Sequence, residues 1–273
     1  MNERFAHRSC VRPPRSRSAA LGAVAALFAA VAAARAEDWS KADLAAVQRA
    51  AAAGDAAAQF ALGERHWTGA GGAALQPGLA VELWTAAARQ MHPGAIFALG
   101  NAVAQGRGAP RSPERAVALW RHAAAAGHVG AMTALGRAYA AGAGVPADPA
   151  EAARWFQRAA AKGDAQAEYL LGWHYENGQG VEMDLMQAAI CYLGAAERGV
   201  PAAQNNLGVL YADGAGVPQN LVESFVWLSR AAAAGDPQAP ANLEAVRRRM
   251  SRDERRRAQE RLAETAGPAA PPR

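Results

Sequence analysis

Apolar and small residues follow one arrangement along the chain that returns every 36 or 37 residues. A Leu-Gly pair marks each return, and successive pairs are 37, 36, 36 and 36 residues apart. A further glycine follows seven residues after each of these leucines. A fixed period of this length is typical of repeat proteins, in which each repeat is one small structural unit. The five pairs are Leu62-Gly63, Leu99-Gly100, Leu135-Gly136, Leu171-Gly172 and Leu207-Gly208.

Each 36-residue unit predicts two helices joined by a tight turn. In the last three units the leucine is followed four residues later by tyrosine, a spacing that places both on one helical face. A Gly-x-Gly-Val loop comes next, in which glycine can adopt the left-handed conformation that ends a helix. The second helix begins 13 residues after the leucine, at N-capping residues such as Ser112 and Asp148, and presents large apolar residues such as Trp120.

Small residues at the Leu-Gly pairs allow the two helices of a unit to approach closely. The leucine and aromatic positions then fill the space between consecutive units. One hairpin cannot bury this surface alone, whereas five stacked hairpins share a continuous core. Composition agrees with an all-α fold, because 51% of the residues are hydrophobic, mostly alanine, and only 7% are aromatic.

The pattern from Ala131 to Gly163 resembles the Sel-one-like repeat, a subclass of the tetratricopeptide-like repeats. It reads Ala-x-x-x-Leu-Gly-x-x-Tyr-x-x-Gly-x-Gly-Val-x-x-Asp, then Ala-x-x-Trp-x-x-x-Ala-Ala-x-x-Gly. The resemblance implies a right-handed α/α solenoid of five helix–turn–helix repeats over residues 55–236, used as an adaptor. Unit one departs from the pattern with His66 in place of tyrosine, and unit two with Val103.

Shorter helical segments flank the repeats. Residues 37–54 are expected to form an N-terminal capping helix, and residues 237–266 two C-terminal capping helices, since the exposed ends of a solenoid need polar caps. Ser251 and Glu254 have the spacing of a capping box at the start of the second C-terminal helix. The proline-rich tail, residues 267–273, is expected to be disordered.

The first 36 residues have the three parts of a secretory signal. A basic segment through Arg17 precedes an apolar segment from Ala19 to Ala34, and Ala34-Arg35-Ala36 is an A-x-A cleavage site. Cleavage after Ala36 predicts a periplasmic or secreted protein. The alternative is a retained anchor, but the 16-residue apolar segment is shorter than the roughly 20 residues that span a bilayer.

The same leader accounts for the positive charge of the chain. It holds six of the 29 basic residues and one of the 24 acidic residues, so the remaining 23 basic and 23 acidic residues balance. Without a basic field, nucleic-acid binding is not expected. Eight arginines nevertheless lie between residues 247 and 261. They indicate either a solvated cap or a contact with an anionic envelope surface.

No arrangement of residues indicates catalysis, a cofactor or a metal. Lys41 and Lys162 are the only lysines, so no Ser-x-x-Lys motif exists, and the Gly-x-Gly-Val loops have no Walker lysine. Cys191 occupies an apolar position and is expected to be a buried packing residue. The histidines lie in different units without ligand spacing and are expected to be structural: His66, His92, His122, His128 and His174.

A partner-binding groove is the site that the resemblance implies. In tetratricopeptide-like stacks the first helix of each unit lines the inner surface, at offsets −5, −2, +2, +5 and +6 from the leucine. These offsets select Phe60, Glu64, Trp67, Phe97, Asn101, Gln105, Thr133, Arg137, Gln166, Tyr169, Trp173, Glu176, Asn177, Asn205 and Asp213. The alternative is that three of them, Phe60, Phe97 and Tyr169, are core residues.

Aromatic residues among amides and charges are typical of a peptide-binding surface. We therefore expect an exported, non-catalytic scaffold whose groove binds a segment of another protein in the cell envelope. Two alternatives stay open. One is a cell-wall or exopolysaccharide-binding module. The other is a β-lactam-binding hydrolase, as in cysteine-rich members of the resembled family, although their paired cysteines are missing here.

Overall fold

The computed structural model describes Trp39 and residues 41–265, and this part of the chain contains thirteen α-helices and no β-strand. The all-α prediction is confirmed. The predicted leader, residues 1–36, and the predicted tail, residues 267–273, lie outside the described residues. The helices are α1 (Leu44–Ala52), α2 (Ala56–Thr68), α3 (Pro77–Arg89), α4 (Pro93–Gln105), α5 (Pro113–Ala125), α6 (Val129–Ala141), α7 (Pro149–Ala160), α8 (Ala165–Asn177), α9 (Leu185–Glu197), α10 (Pro201–Asp213), α11 (Leu221–Ala233), α12 (Ala239–Arg249) and α13 (Arg252–Thr265).

The described chain divides into two compact units. One runs through Ala147 and contains α1–α6, and the other begins at Asp148 and contains α7–α13. Within each unit, helices that follow one another along the chain pack against each other, except that the last helix, α13, packs mainly against α11. The division falls inside the third repeat, between its first helix and its second.

Local sequence signals account for the bounds of the repeat helices. The five first helices, α2, α4, α6, α8 and α10, are each 13 residues long and end at a glycine with φ between 62° and 73°. This left-handed conformation is strained for residues with a Cβ, so glycine ends the helix as predicted. Four of the five second helices begin after a side-chain cap, as where the Ser112 hydroxyl accepts a hydrogen bond from the Arg115 N–H at 3.3 Å, whereas Gln76 makes no such bond at the start of α3.

The glycine of the Leu-Gly pair allows the close approach of paired helices that the sequence predicts. A Cβ built on Gly63 would lie 2.6 Å from Cδ1 of the Trp84 indole, and one on Gly100 would lie 2.7 Å from the Trp120 indole. Both distances are below ordinary van der Waals contact. In these two repeats the indole of the second helix therefore occupies the space that a side chain at the glycine would need.

The second glycine of each Gly-x-Gly loop has an additional role that the sequence interpretation missed. Gly144 has φ 76°, and a Cβ at this position would lie 2.8 Å from the Glu114 backbone nitrogen, at the start of α5 in the preceding repeat. The loop of one repeat thus contacts the backbone of its neighbour. Glycine is required here by contact between repeats as well as by helix termination.

Most of the large repeated apolar residues are buried, as the stacking model predicts. The leucines of four Leu-Gly pairs are buried, and Leu99 is half-buried. Among the aromatic residues of the second helices, Trp84 and Tyr192 are fully enclosed, whereas Trp120 is half-buried. Cys191 is completely buried, as its apolar position predicts.

Specific hydrogen bonds hold the N-terminal flanking segment in place and cap the last C-terminal helix. The Arg65 guanidinium donates hydrogen bonds to the backbone oxygens of Trp39, at 3.0 Å, and Ala42, at 2.5 Å, and so holds the N-terminal segment against α2. At the C-terminal end, Ser251 and Glu254 form a reciprocal capping box. The Ser251 N–H donates to the Glu254 carboxylate at 2.8 Å, and the Glu254 N–H donates to the Ser251 hydroxyl at 3.2 Å.

Candidate functional site

A cavity of about 320 Å³ lies against helices α2 and α4, in the unit that runs through Ala147. We call it the Glu64 pocket. Six of its ten lining residues belong to the groove that the sequence predicts. These six are Phe60, Glu64, Trp67, Phe97, Asn101 and Gln105, and the remaining four are Trp84, Gly94, Ala98 and His128.

Two stacked pairs of rings form one part of the pocket and its surroundings. The Phe60 ring stacks on His92 with centroids 4.8 Å apart, and the Phe97 ring stacks on His128 with centroids 4.4 Å apart. The interplanar angle is 29° in both pairs. A Cβ on Gly94 would lie 3.1 Å from the Phe60 ring, so the glycine leaves room for the first stack. The same phenylalanine–histidine stack thus recurs in two successive repeats.

The histidines of these pairs also cap helices. Nδ1 of His92 accepts a hydrogen bond from the Ala95 N–H, and Nδ1 of His128 accepts one from the Ala131 N–H, each at 3.2 Å. Burial lowers the pKa of both histidines, because an imidazolium is poorly solvated there, and His92 lowers the pKa of His128 further. Both rings are therefore neutral acceptors at neutral pH. The structural role expected for His92 and His128 is confirmed, but His128 also lines the pocket.

Tryptophan side chains form another wall. The Trp67 and Trp84 rings lie 5.1 Å apart, and the Trp84 Nε1–H donates to the Phe60 backbone oxygen at 3.3 Å. The Arg107 guanidinium carbon lies 4.1 Å from the Trp67 ring centroid, and this arginine donates to the Trp67 backbone oxygen at 2.8 Å. Trp67 thus holds a cation on its ring within the folded chain.

The polar lining of the pocket consists of two amides and one carboxyl group. The Asn101 Oδ1 atom accepts a hydrogen bond from the Trp120 indole N–H at 3.1 Å, which orients the amide. Gln105 is exposed. Glu64 is exposed as well, and partial desolvation by the surrounding protein raises the pKa of its carboxyl group.

In the unit from Asp148, the predicted groove residues make different contacts. The Tyr169 ring lies 5.8 Å from the buried Tyr192 ring, and the Tyr192 hydroxyl donates to the Glu176 carboxylate at 2.5 Å. Burial, followed by this contact with Glu176, raises the pKa of Tyr192 far above its usual range. Trp173 is 41% exposed and packs edge-on against His174. Tyr169 therefore combines a core contact, which the alternative interpretation expected, with partial exposure.

Two predicted groove residues are buried, which corrects their assignment to an open surface. Thr133 is 8% exposed and Asn205 is 3% exposed. The Asn205 Oδ1 atom accepts a hydrogen bond from Asn242 of α12 at 2.9 Å, so this side chain joins neighbouring helices. Other predicted residues keep access to solvent: Arg137, Asn177 and Asp213 are exposed, and Gln166 is half-buried.

The C-terminal arginines are largely paired within the chain. Five of the eight lie within 4.0 Å of a carboxylate, and an example is Arg249, whose Nη1 lies 3.2 Å from Asp213 Oδ1. These partners reduce the positive field at α12 and α13. The contact with an anionic envelope surface stays a prediction.

The described residues contain neither a candidate metal site nor a candidate membrane-spanning helix. Within residues 41–265, no group of three or more histidine, cysteine, aspartate or glutamate side chains is arranged to hold a metal ion. Among the helices of that range, none is long and apolar enough to cross a membrane.

The model of the Sel1 repeat family matches this chain in five consecutive segments. These segments cover residues 56–92, 93–128, 129–164, 165–200 and 201–236. Their period agrees with the spacing of the Leu-Gly pairs. No curated protein sequence shows significant similarity to the chain.

Two solved structures extend the comparison. The chain is similar to a Sel1 repeat protein from Oxalobacter formigenes, with 36% identity and a TM-score of 0.68, over 73% of this chain and 57% of that one. It is also similar to a protective antigen of uropathogenic Escherichia coli with an SLR fold, with 24% identity and a TM-score of 0.52, over 83% of this chain and 59% of that one. The match thus spans less than two thirds of either relative. Both comparisons confirm the predicted class, an α/α repeat solenoid.

Proposed function

Because the chain belongs to the Sel1 repeat family, we propose that it is a non-catalytic scaffold that binds a segment of another protein. Sel1 repeat proteins typically mediate protein–protein interactions, and the family is generally non-catalytic. The observation that carries the proposal is the Glu64 pocket. There, aromatic rings and amides from two successive repeats meet around one open cavity.

The size and lining of the pocket suit side chains of a bound segment. A volume of about 320 Å³ is at the lower end of the range for ligand pockets, which favours one or two side chains over a large cofactor. Aromatic anchors contribute much of the binding energy at protein interfaces. Phe60 and Phe97 come from equivalent positions of successive repeats, so an extended segment would meet a similar environment at each step.

Export to the envelope is the second part of the proposal, and the leader sequence supports it. A basic segment, an apolar segment and an Ala-x-Ala site occur in the order of a secretory signal. We expect the mature protein to begin at Glu37. Edman sequencing or mass spectrometry of the exported protein checks this expectation, and an intact Met1 would contradict it.

The test of the binding proposal compares partner capture by matched variants. The full chain, with an affinity tag after Arg273, is expressed in its native host and purified from the envelope fraction. In one variant both Phe60 and Phe97 are replaced by leucine, which removes the rings and keeps apolar volume. Phe225→Leu, on α11, serves as the control because it removes a ring that does not line the Glu64 pocket.

We expect the double variant to lose a protein that the original chain and the Phe225→Leu control both capture. The loss should correspond to about 2 kcal/mol or more for each important anchor. Unchanged capture by a folded double variant would contradict the proposal. Capture of a polysaccharide instead of a protein would favour the alternative of a glycan-binding module.

A further inference from the structure

We infer that the Glu64 pocket recognises a lysine or arginine side chain of an extended partner segment. This inference rests on the proposed function and specifies the chemistry of the partner. It depends on the charge, the rings and the amides that line the cavity.

The charge of the pocket is unbalanced. Glu64 is the only acidic residue in the lining, and the lining contains no lysine or arginine. Within the described residues, the Glu64 carboxylate has no hydrogen bond or ion pair. The Glu64 side chain is exposed at the mouth of the cavity, and partial desolvation by the surrounding protein raises the pKa of its carboxyl group. The other titratable lining group, His128, is neutral at neutral pH because burial lowers its pKa.

A cationic guest would relieve this imbalance, whereas an apolar guest would increase it. A lysine or arginine side chain brings a positive charge to the carboxylate and an aliphatic stem to the rings. An apolar side chain would exclude more water from Glu64 without replacing its hydrogen bonds. The carboxylate therefore selects for positive charge.

The rings of the pocket also favour a cation. The faces of aromatic rings are negative in electrostatic potential, and guanidinium or ammonium groups bind within about 6 Å of their centroids. Arg107 already occupies such a position 4.1 Å from the Trp67 centroid. Phe60 and Phe97, which line the same cavity, supply further aromatic surface for a guest.

The amides indicate a peptide rather than a free amine. Asn101 is oriented by Trp120 through its Oδ1 atom, and its Nδ2 group has no hydrogen bond within the described part of the chain. Gln105 lies one helical turn further along α4 and is exposed. Side-chain amides both donate and accept, so this pair suits the backbone N–H and C=O groups of an extended segment.

The experiment uses short peptides of defined charge. The full chain is titrated with acetyl-Ala-Ala-Xaa-Ala-Ala-amide, in which Xaa is lysine, arginine or norleucine, and the indole N–H resonances of Trp67 and Trp84 are followed by NMR. Norleucine retains the stem of lysine and lacks the charge. The variants are Glu64→Gln, which is nearly isosteric, and Glu82→Gln, an exposed glutamate of α3 outside the pocket, as the control.

We expect the lysine and arginine peptides to bind about tenfold more tightly than the norleucine peptide, from the ion pair and the cation–ring contact together. Glu64→Gln should reduce this preference to less than about threefold. Glu82→Gln should leave it unchanged.

Four results would overturn the inference. The first is equal binding of the lysine and norleucine peptides, and the second is a lysine preference that persists in Glu64→Gln. The third is no binding of any peptide up to its solubility limit. The fourth is binding of butylammonium as tight as that of the lysine peptide, which would assign the pocket to free amines. The capture experiment with Phe60 and Phe97 is independent of these results. If capture depends on those rings while the lysine preference is absent, the protein-binding proposal stands and this inference fails.

Discussion

Replacement of Gly63 by alanine is a direct test of how closely the paired helices of a repeat must approach. In the first repeat, a Cβ at Gly63 would lie 2.6 Å from the Trp84 Cδ1 atom. The indole cannot easily move away, because Trp84 is only 2% exposed and donates a hydrogen bond to the Phe60 backbone oxygen. The added methyl group must therefore separate α2 from α3 or displace a wall of the Glu64 pocket.

Two opposing effects determine the size of the change in stability. Alanine in a helix interior is favoured over glycine by roughly 0.5–1 kcal/mol. Overpacking in a rigid core typically costs about 1–3 kcal/mol. Because the neighbour at Gly63 is a buried, hydrogen-bonded ring, we expect the second effect to dominate and the free energy of unfolding to fall by about 1–2 kcal/mol.

Gly78 provides the matched control. It lies near the start of α3, and a Cβ at this position would meet no atom within 4 Å. Gly78→Ala should therefore raise the free energy of unfolding by up to about 1 kcal/mol. The same chemical change should thus have opposite signs at two glycines of one repeat.

Urea unfolding followed by far-UV circular dichroism measures both effects. Amide hydrogen exchange in α2 and α3 gives a local measure, which is useful because repeat proteins need not unfold in one step. A Gly63→Ala midpoint equal to or higher than that of Gly78→Ala would refute the argument. The close contact of Gly63 with Trp84 would then have no energetic consequence.

Three other predictions concern single side chains. Burial lowers the pKa of His128 below its ordinary value of 6.5, so the unfolded chain takes up a proton first and stability should fall as pH drops below 6.5. His128→Asp keeps a helix cap that does not titrate between pH 6.5 and 5, so it should reduce the slope of the unfolding free energy against pH in this range. An unchanged slope would exclude His128 as a source of the pH dependence. Leu135→Ala removes a completely buried side chain and should lower the unfolding free energy by about 2–5 kcal/mol. Amide exchange should become faster in both α5 and α6, and a loss of stability below about 1 kcal/mol would argue against a core shared between repeats. Trp173→Ala should change the unfolding free energy by less than about 0.5 kcal/mol, whereas Tyr169→Ala should lower it more, because the Tyr169 ring packs on Tyr192. If thermal melts showed a larger loss of stability for Trp173→Ala, Trp173 would be the core residue.

The candidate site could be predicted in part. Offsets from the repeated leucine identified six of the ten residues that line the Glu64 pocket, because those residues lie on one face of a first helix. Trp84 and His128 were missed as lining residues. Trp84 belongs to a second helix, and His128 caps the first helix of the following repeat, so both reach the cavity through contacts between elements.

The sequence also predicted only in part which groove residues are exposed and which are buried. Thr133 and Asn205 occupy the −2 position that in other repeats holds Phe60, Phe97 and Tyr169, yet both are buried. The reason for Asn205 is a hydrogen bond from Asn242 of α12, a helix outside the repeat pattern. A position on a helical face does not reveal which neighbour will cover it.

The sequence alone determined the repeat period, the helix–turn–helix unit and most helix ends. These features depend on local physical causes, namely left-handed glycines, capping side chains and the 3.6-residue period. Only the tertiary structure decided which rings stack, which polar groups become buried and which carboxylate remains without a partner. Those properties depend on contacts between residues about 20 to 40 positions apart, such as Phe97 with His128 and Trp120 with Asn101. Such contacts are set by how neighbouring helices pack, and the pattern of any single helix does not contain them.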